Sequence, residues 1–126
     1  MNTKKFEGIL LCSDIDGTLF YYDPELKDGY VPENVCRAIR YFQENGGRFT
    51  LATGRFPLYA ATALTQYVTP NAPLITLNGA VIYDAENEKI LFSAPIIDDP
   101  CRLSYDVIVR YPHMKRVDMQ CGDGHS

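Results

Sequence analysis

The sequence predicts an α/β chain built on a parallel sheet, and three observations predict it. Short apolar runs at 9–12, 48–52 and 74–77 (ILLC, RFTLA, LITL) have the length of buried strands. Each stops at a polar turn: SDIDGT, TGR and NG, respectively. Stretches with helical character lie between them, and strand, helix, strand in that order makes right-handed crossovers that bring the strand ends to one edge of the sheet. The pattern is half of a doubly wound domain with three strand ends lining one crevice.

Composition narrows the chemistry. At 126 residues and 46% apolar content the chain is long enough for one domain with a real core. A net charge of -4 with no basic cluster argues against a nucleic-acid or anionic-membrane surface, so a small anionic ligand needs a local positive site. The apolar run after Lys4 and Lys5 is too short for a signal peptide, and no stretch is a transmembrane candidate. Cys12, Cys36, Cys101 and Cys121 are far apart, with no CxxC and no histidine at zinc-like spacing. They read as free thiols in a reducing cytoplasm, Cys12 in the core of the first strand and Cys36 in a helix.

The first strand, extending to Ser13, delivers Asp14-Ile15-Asp16-Gly17-Thr18. In extended backbone, residues i and i+2 face the same side, so Asp14 and Asp16 aim into one crevice while Ile15 points to the core. Two carboxylates at close range repel unless a cation bridges them or one takes up a proton, so the pair suggests a metal site or an acid/base pair. Gly17 tolerates positive φ, and the N–H groups of such a turn form an anion-binding nest.

Residues 21–30 read as a polar, aromatic loop with turn signals at Asp23-Pro24 and Asp28-Gly29. Pro32 suits the first turn of a helix whose stripe is Val35, Ala38, Ile39 and Phe42, closed by Asn45-Gly46-Gly47. Arg37 and Arg40 lie on its solvated side. The second strand, 48–52, places Thr53 beside Asp14. A second helix is expected over 56–69, ended by Pro70-Asn71-Ala72-Pro73, and the third strand, 74–77, ends at Asn78-Gly79. Residues 80–84 and 89–92 flank a polar tip and read as a β-hairpin. A hinge at 93–95 leads to a helix over 101–111, and 114–119 starts a further strand.

The segment DIDGTLF resembles motif I of the haloacid dehalogenase (HAD) superfamily, DxDGT[LV] after an apolar strand. LATGR and NGA resemble motif II and the third strand end of its Cof-like type IIB branch. The resemblance implies a HAD-like Rossmannoid parallel sheet, present as the first half of the core over 1–95, followed by the opening of a type II α/β cap over 96–126. It implies a Mg²⁺-dependent phosphatase of small phosphorylated metabolites, such as a sugar phosphate. Asp14 would be the nucleophile that becomes an aspartyl-phosphate, Asp16 the acid/base, and both would hold Mg²⁺, Asp16 through its carbonyl. Gly17, Thr18, Thr53, Gly54, Arg55 and Asn78 would meet the phosphate or substrate. Two of these keep a second reading: Arg55 as a helix-entry arginine bonding neighbouring carbonyls, and Asn78 as an amide that satisfies backbone groups in its turn. Residues 21–30 would hold the flap beside the site.

The resemblance covers only the front half of the family's plan. Its motif III lysine and motif IV acidic pair are absent, since Lys115 falls in the cap and Gly122-Asp123-Gly124 follows no continuous apolar strand. The chain is therefore expected to be a fragment or truncated product, weak or inactive alone. Without the later strands, residues 9–13 form an open apolar edge that invites self-association. The alternative function is a catalytically silent module that binds phosphate or itself. A response-regulator receiver fares poorly, because receivers place their paired acids and acceptor on different strands.

Overall fold

The computed structural model describes residues 4–25, 28–64, 66–94 and 99–114. In chain order the elements are β1 (Leu10–Ser13), β2 (Tyr21–Asp23), β3 (Asp28–Tyr30), α1 (Glu33–Glu44), β4 (Arg48–Leu51), α2 (Pro57–Ala63), β5 (Leu74–Thr76), a tight turn (Leu77–Gly79), β6 (Val81–Asp84), β7 (Lys89–Ser93) and α3 (Pro100–Arg110). The strand expected over 114–119, the Pro95 hinge, Lys115, Cys121 and the Gly122-Asp123-Gly124 turn lie outside the described residues, apart from Met114 and the start of the hinge.

β1 and β4 pair in parallel, from Leu10 opposite Arg48 to Ser13 opposite Leu51. The other edge of β4 meets β5 through a parallel bridge between Ala52 and Ile75, and the Thr53 N–H donates to the Ile75 carbonyl at 2.9 Å. β5 then pairs antiparallel with β6, and β6 with β7, so the hairpin extends the same sheet edge. Where β5 has not yet begun, the side chain of Asn71 stands in for a strand. Its Oδ1 accepts the Phe49 N–H at 2.7 Å and its Nδ2 donates to the Gly47 carbonyl at 3.2 Å. The proline-bounded segment after α2 thus satisfies backbone groups that would otherwise be buried without partners.

The core lies between this sheet and the helices. Phe49 and Leu51 of β4 are fully buried with Ile15, Leu64, Leu74 and Cys36. Each large apolar side chain so buried contributes about 1.5–3 kcal/mol. α1 buries Cys36 and Ile39, with Val35 and Phe42 partly buried against the same cluster; Ala38, expected in that stripe, is exposed, and Cys36 is buried instead. Arg40 is exposed, as expected, and also donates to the Tyr67 carbonyl at 2.8 Å, which ties α1 to the segment after α2.

Three further expectations need correction. α2 ends at Ala63 rather than near residue 69. Thr62 Oγ1 bonds back to the Leu58 and Tyr59 carbonyls, a competition that weakens helices. The chain then turns so that Leu64 and Val68 enter the core. Within the stretch expected to be a loop, Tyr21–Asp23 and Asp28–Tyr30 pair as a short antiparallel ribbon, β2 with β3. Gly29 pairs with Tyr22 in that ribbon because a Cβ there would collide with the Phe20 ring. Cys12 is exposed rather than core, because β1 has a strand neighbour on only one side among the described residues. Ile9, Leu10 and Leu11 are 49%, 55% and 45% exposed for the same reason.

Candidate active site

Asp14 follows the last residue of β1, Thr53 stands two residues beyond β4, and Asn78 two beyond β5. The parallel register places these three ends together. Asp14, Ala52, Thr53, Gly54, Ile75, Asn78 and Gly79 line one crevice of about 350 Å³. A larger hollow of about 690 Å³ lies elsewhere, between α2, residues 69–74 and the hairpin; neither Asp14 nor Asp16 reaches it. The chemistry therefore concentrates in the smaller one.

Ile15 is fully buried, while Asp14 and Asp16 on either side of it are exposed. The carboxylate of Asp14 meets no hydrogen-bond donor among the described residues, which leaves it available as a nucleophile or a metal ligand. The Asp16 carbonyl likewise receives no donor among those residues. A carboxylate and a carbonyl, both hard oxygen donors, fit part of a Mg²⁺ shell, which is usually completed by water and substrate. Among the described residues no group of three His, Cys, Asp or Glu side chains gathers into a metal cluster.

The turn after Asp16 is bound more tightly than an open nest. The N–H groups of Thr18, Leu19 and Phe20 all point to the Ile15 carbonyl, and the Gly17 N–H donates to the Phe20 carbonyl at 3.0 Å. Gly17 takes φ 74°, the conformation its lack of a side chain permits. Asp16 and Arg55, expected to face the same crevice as Asp14, do not line it, and neither do Gly17 and Thr18; of the two acids only Asp14 does, because Arg55 draws the Asp16 side chain to itself. The backbone N–H groups of Ile15 and Asp16 have no acceptor among the described residues; Ile15 is fully buried, so only that of Asp16 belongs to an exposed residue.

Thr53 is buried, and its hydroxyl oxygen accepts the Arg55 N–H at 3.2 Å, which leaves the hydroxyl proton to donate. Gly54 packs under Asn78; a Cβ at 54 would stand 3.0 Å from the Asn78 Oδ1. Leu77, Asn78 and Gly79 all have positive φ. Left-handed backbone costs an L-residue roughly 1–2 kcal/mol, and such strain concentrates at functional sites. Two bonds hold the turn in place: the Leu77 N–H to the Arg55 carbonyl and the Asn78 N–H to the Thr53 carbonyl.

Among the described residues Arg55 bonds no neighbouring carbonyl through its side chain. Its Nε donates to Asp16 Oδ2 at 2.7 Å and its Nη2 to Oδ1, a two-pronged ion pair. Hydrogen bonding to Asp16 raises the guanidinium above its ordinary range, against a smaller opposing effect of burial. Tyr59 was missed in the sequence reading: the Arg55 guanidinium lies 4.4 Å from the centre of its ring. The signal was available, since Tyr59 lies four residues after Arg55 at the mouth of a helix.

The comparisons with known proteins agree with this architecture. A family model described as haloacid dehalogenase-like hydrolase matches residues 11–117. A presumed phosphatase of Mycoplasma genitalium is 36% identical over 84 residues, which cover 66% of this chain and 28% of that protein. Among solved structures, a HAD phosphatase of Bacteroides thetaiotaomicron has a TM-score of 0.62 at 24% identity, covering 82% of this chain and 36% of its own. A HAD subclass IIB sugar phosphatase has a TM-score of 0.60 at 22% identity, covering 81% and 37%. At those identities the likeness of the structures is one of fold, and this chain spans little more than a quarter to a third of the relatives' length. The motif-bearing strand ends, the parallel core and the family match together show that the chain belongs to the haloacid dehalogenase-like hydrolases.

Proposed function

We propose that this chain carries the nucleophile and phosphate-binding half of a phosphatase of small phosphorylated metabolites, with sugar phosphates as the substrate class. The observation that carries the reading is the unengaged Asp14 carboxylate sharing a crevice with the Thr53 hydroxyl and the Asn78 turn. Residues 1–95 form the partial core, and 96–126 open the cap. The exposed apolar positions of α3, Leu103, Ile108 and Val109 among them, support this division, since they leave apolar surface around the helix for further structure to cover. The free thiols of Cys12, Cys36 and Cys101 support a cytoplasmic setting.

In the reaction, an Asp14 carboxylate oxygen attacks phosphorus and the bond to the ester oxygen breaks. The departing oxygen takes a proton from the Asp16 carboxyl. A water then gives a proton to Asp16 and attacks the aspartyl-phosphate, which releases phosphate and restores Asp14. Thr53 donates its hydroxyl proton to a phosphoryl oxygen, and the unengaged Asp16 N–H is the backbone donor for the developing negative charge. Mg²⁺ held by the Asp14 carboxylate and the Asp16 carbonyl would neutralise phosphate charge and so let one anion approach another.

The test is magnesium-dependent hydrolysis of an aryl phosphate by wild type and Asp14→Asn. Turnover that survives the substitution undiminished belongs to another site and refutes the reading. One observation favours a second reading for the isolated chain: the bare edge of β1, with Ile9, Leu10 and Leu11 exposed, suits a silent, self-associating module.

A further inference from the structure

We propose that the Arg55–Asp16 pair is a latch opened by the phosphoryl group: Arg55 is a positioning residue that leaves Asp16 for the substrate's anionic oxygens and so frees Asp16 for proton transfer. The inference rests on the phosphatase reading, because it concerns the order of events beside the crevice that Asp14, Thr53 and Gly54 line. Both Asp16 oxygens are engaged by Arg55, through Nε and through Nη2. While that fork is closed, each oxygen has one lone pair taken up by Arg55. Asp16 therefore has to be released before it can act.

The surroundings of Arg55 allow it to exchange partners without moving its backbone. Its N–H is fixed on the Thr53 hydroxyl at 3.2 Å, and its carbonyl accepts from Leu77 at 3.2 Å. Its α-carbon thus follows directly on Thr53 and Gly54, which line the crevice with Asp14. The Tyr59 ring, 4.4 Å away, gives the guanidinium a flat surface along which to turn. A guanidinium offers the same planar fork to phosphate as to carboxylate, so one anion can replace the other. The pair is also open to water on the Asp16 side, where the side chain is 56% accessible, so an incoming anionic oxygen can approach the fork. The cluster closes the site at rest and responds to the charge that substrate brings.

The latch makes a prediction that simple contact between Arg55 and phosphate does not: removing the Asp16 charge should strengthen phosphate binding by way of Arg55. Inorganic phosphate is titrated calorimetrically in the presence of magnesium into wild type, Asp16→Asn, Arg55→Ala, Arg55→Lys and the Asp16→Asn/Arg55→Ala double variant. Asp16→Asn should bind about two- to fivefold more tightly, the range expected for loss of a competing exposed ion pair. The gain should vanish in the Arg55→Ala background and survive in part with lysine. In wild type the Arg55 Nε–H resonance, followed by NMR, should move as phosphate saturates the site. A gain that persists without Arg55 reflects charge removal alone and overturns the latch. So does a resonance that stays on Asp16 at saturation, or a failure of every variant to bind phosphate. Aryl phosphate turnover separates the two proposals: phosphate that opens the pair while Asp14→Asn turns over like wild type leaves the latch standing and refutes the phosphatase.

Discussion

The Asn78 N–H donates to the Thr53 carbonyl at 3.1 Å, joining the ends of β4 and β5 across a turn with left-handed backbone. Asn78, at φ 55°, can serve the backbone, the ligand, or both. Asparagine tolerates this region better than alanine, and glycine better still. Asn78→Ala should cost about 1–2 kcal/mol of stability, whereas Asn78→Gly should stay within about 0.5 kcal/mol of wild type. Both should weaken phosphate binding severalfold if the amide reaches the ligand. Thermal melts beside phosphate titrations separate the roles, and Asn78→Gly binding phosphate like wild type would confine Asn78 to its turn.

Asp14 is exposed and its carboxylate has no hydrogen-bond partner among the described residues, its carbonyl alone accepting from the Ser13 hydroxyl at 3.0 Å, so the fold does not depend on its charge. Asp14→Asn should leave stability within about 0.5 kcal/mol while lowering any magnesium-dependent turnover by on the order of 10³-fold. Denaturant melts and steady-state kinetics on the same preparation check this. A large loss of stability would make Asp14 a structural residue instead.

The edge of β1 predicts concentration-dependent self-association. Its backbone is unpaired on one side among the described residues, and Leu10 stands half exposed. Leu10→Lys should shift sedimentation toward monomer, as charges on edge strands do, at a cost of less than about 0.5 kcal/mol to the monomer. A wild-type chain that sediments as a monomer at high concentration contradicts it.

At the tip of the β6–β7 hairpin, Asp84 accepts the Asn87 side-chain amide at 2.8 Å, and the Glu86 and Asn87 N–H groups at 3.1 and 3.2 Å. These bonds, the Asn87 side chain foremost, hold the Asp84 carboxyl below its ordinary range. A carboxylate depressed by folding stabilises above its unfolded pKa, and the contribution fades as pH falls through the folded value. Asp84→Ala should therefore lower the melting temperature at neutral pH, with the gap from wild type narrowing in acid. A gap independent of pH would show that shape rather than charge closes the turn.

Much of this protein was legible in its residues. Apolar runs that stop at polar turns marked β1, β4 and β5, and their alternation with helical stretches predicted that Asp14, Thr53 and Asn78 would share one edge. That inference is robust because strand periodicity and the hand of the crossover are local or nearly universal rules. The buried Ile15 between two exposed acids follows from the same alternation.

Other features needed the tertiary structure. Arg55 and Asp16 are 39 residues apart, and nothing local says that a helix-entry arginine will reach across to the neighbouring strand end rather than to a carbonyl. The early end of α2 and the ladder formed by the Asn71 side chain depend on what the core accepts and which β4 groups need partners. Gly29 read as a turn signal, yet it serves as clearance for the Phe20 ring. Periodicity in the residues determined which side chains share a face. Only three-dimensional packing decided which of them meet, because pairing between distant segments is set by the shape and charge of the whole.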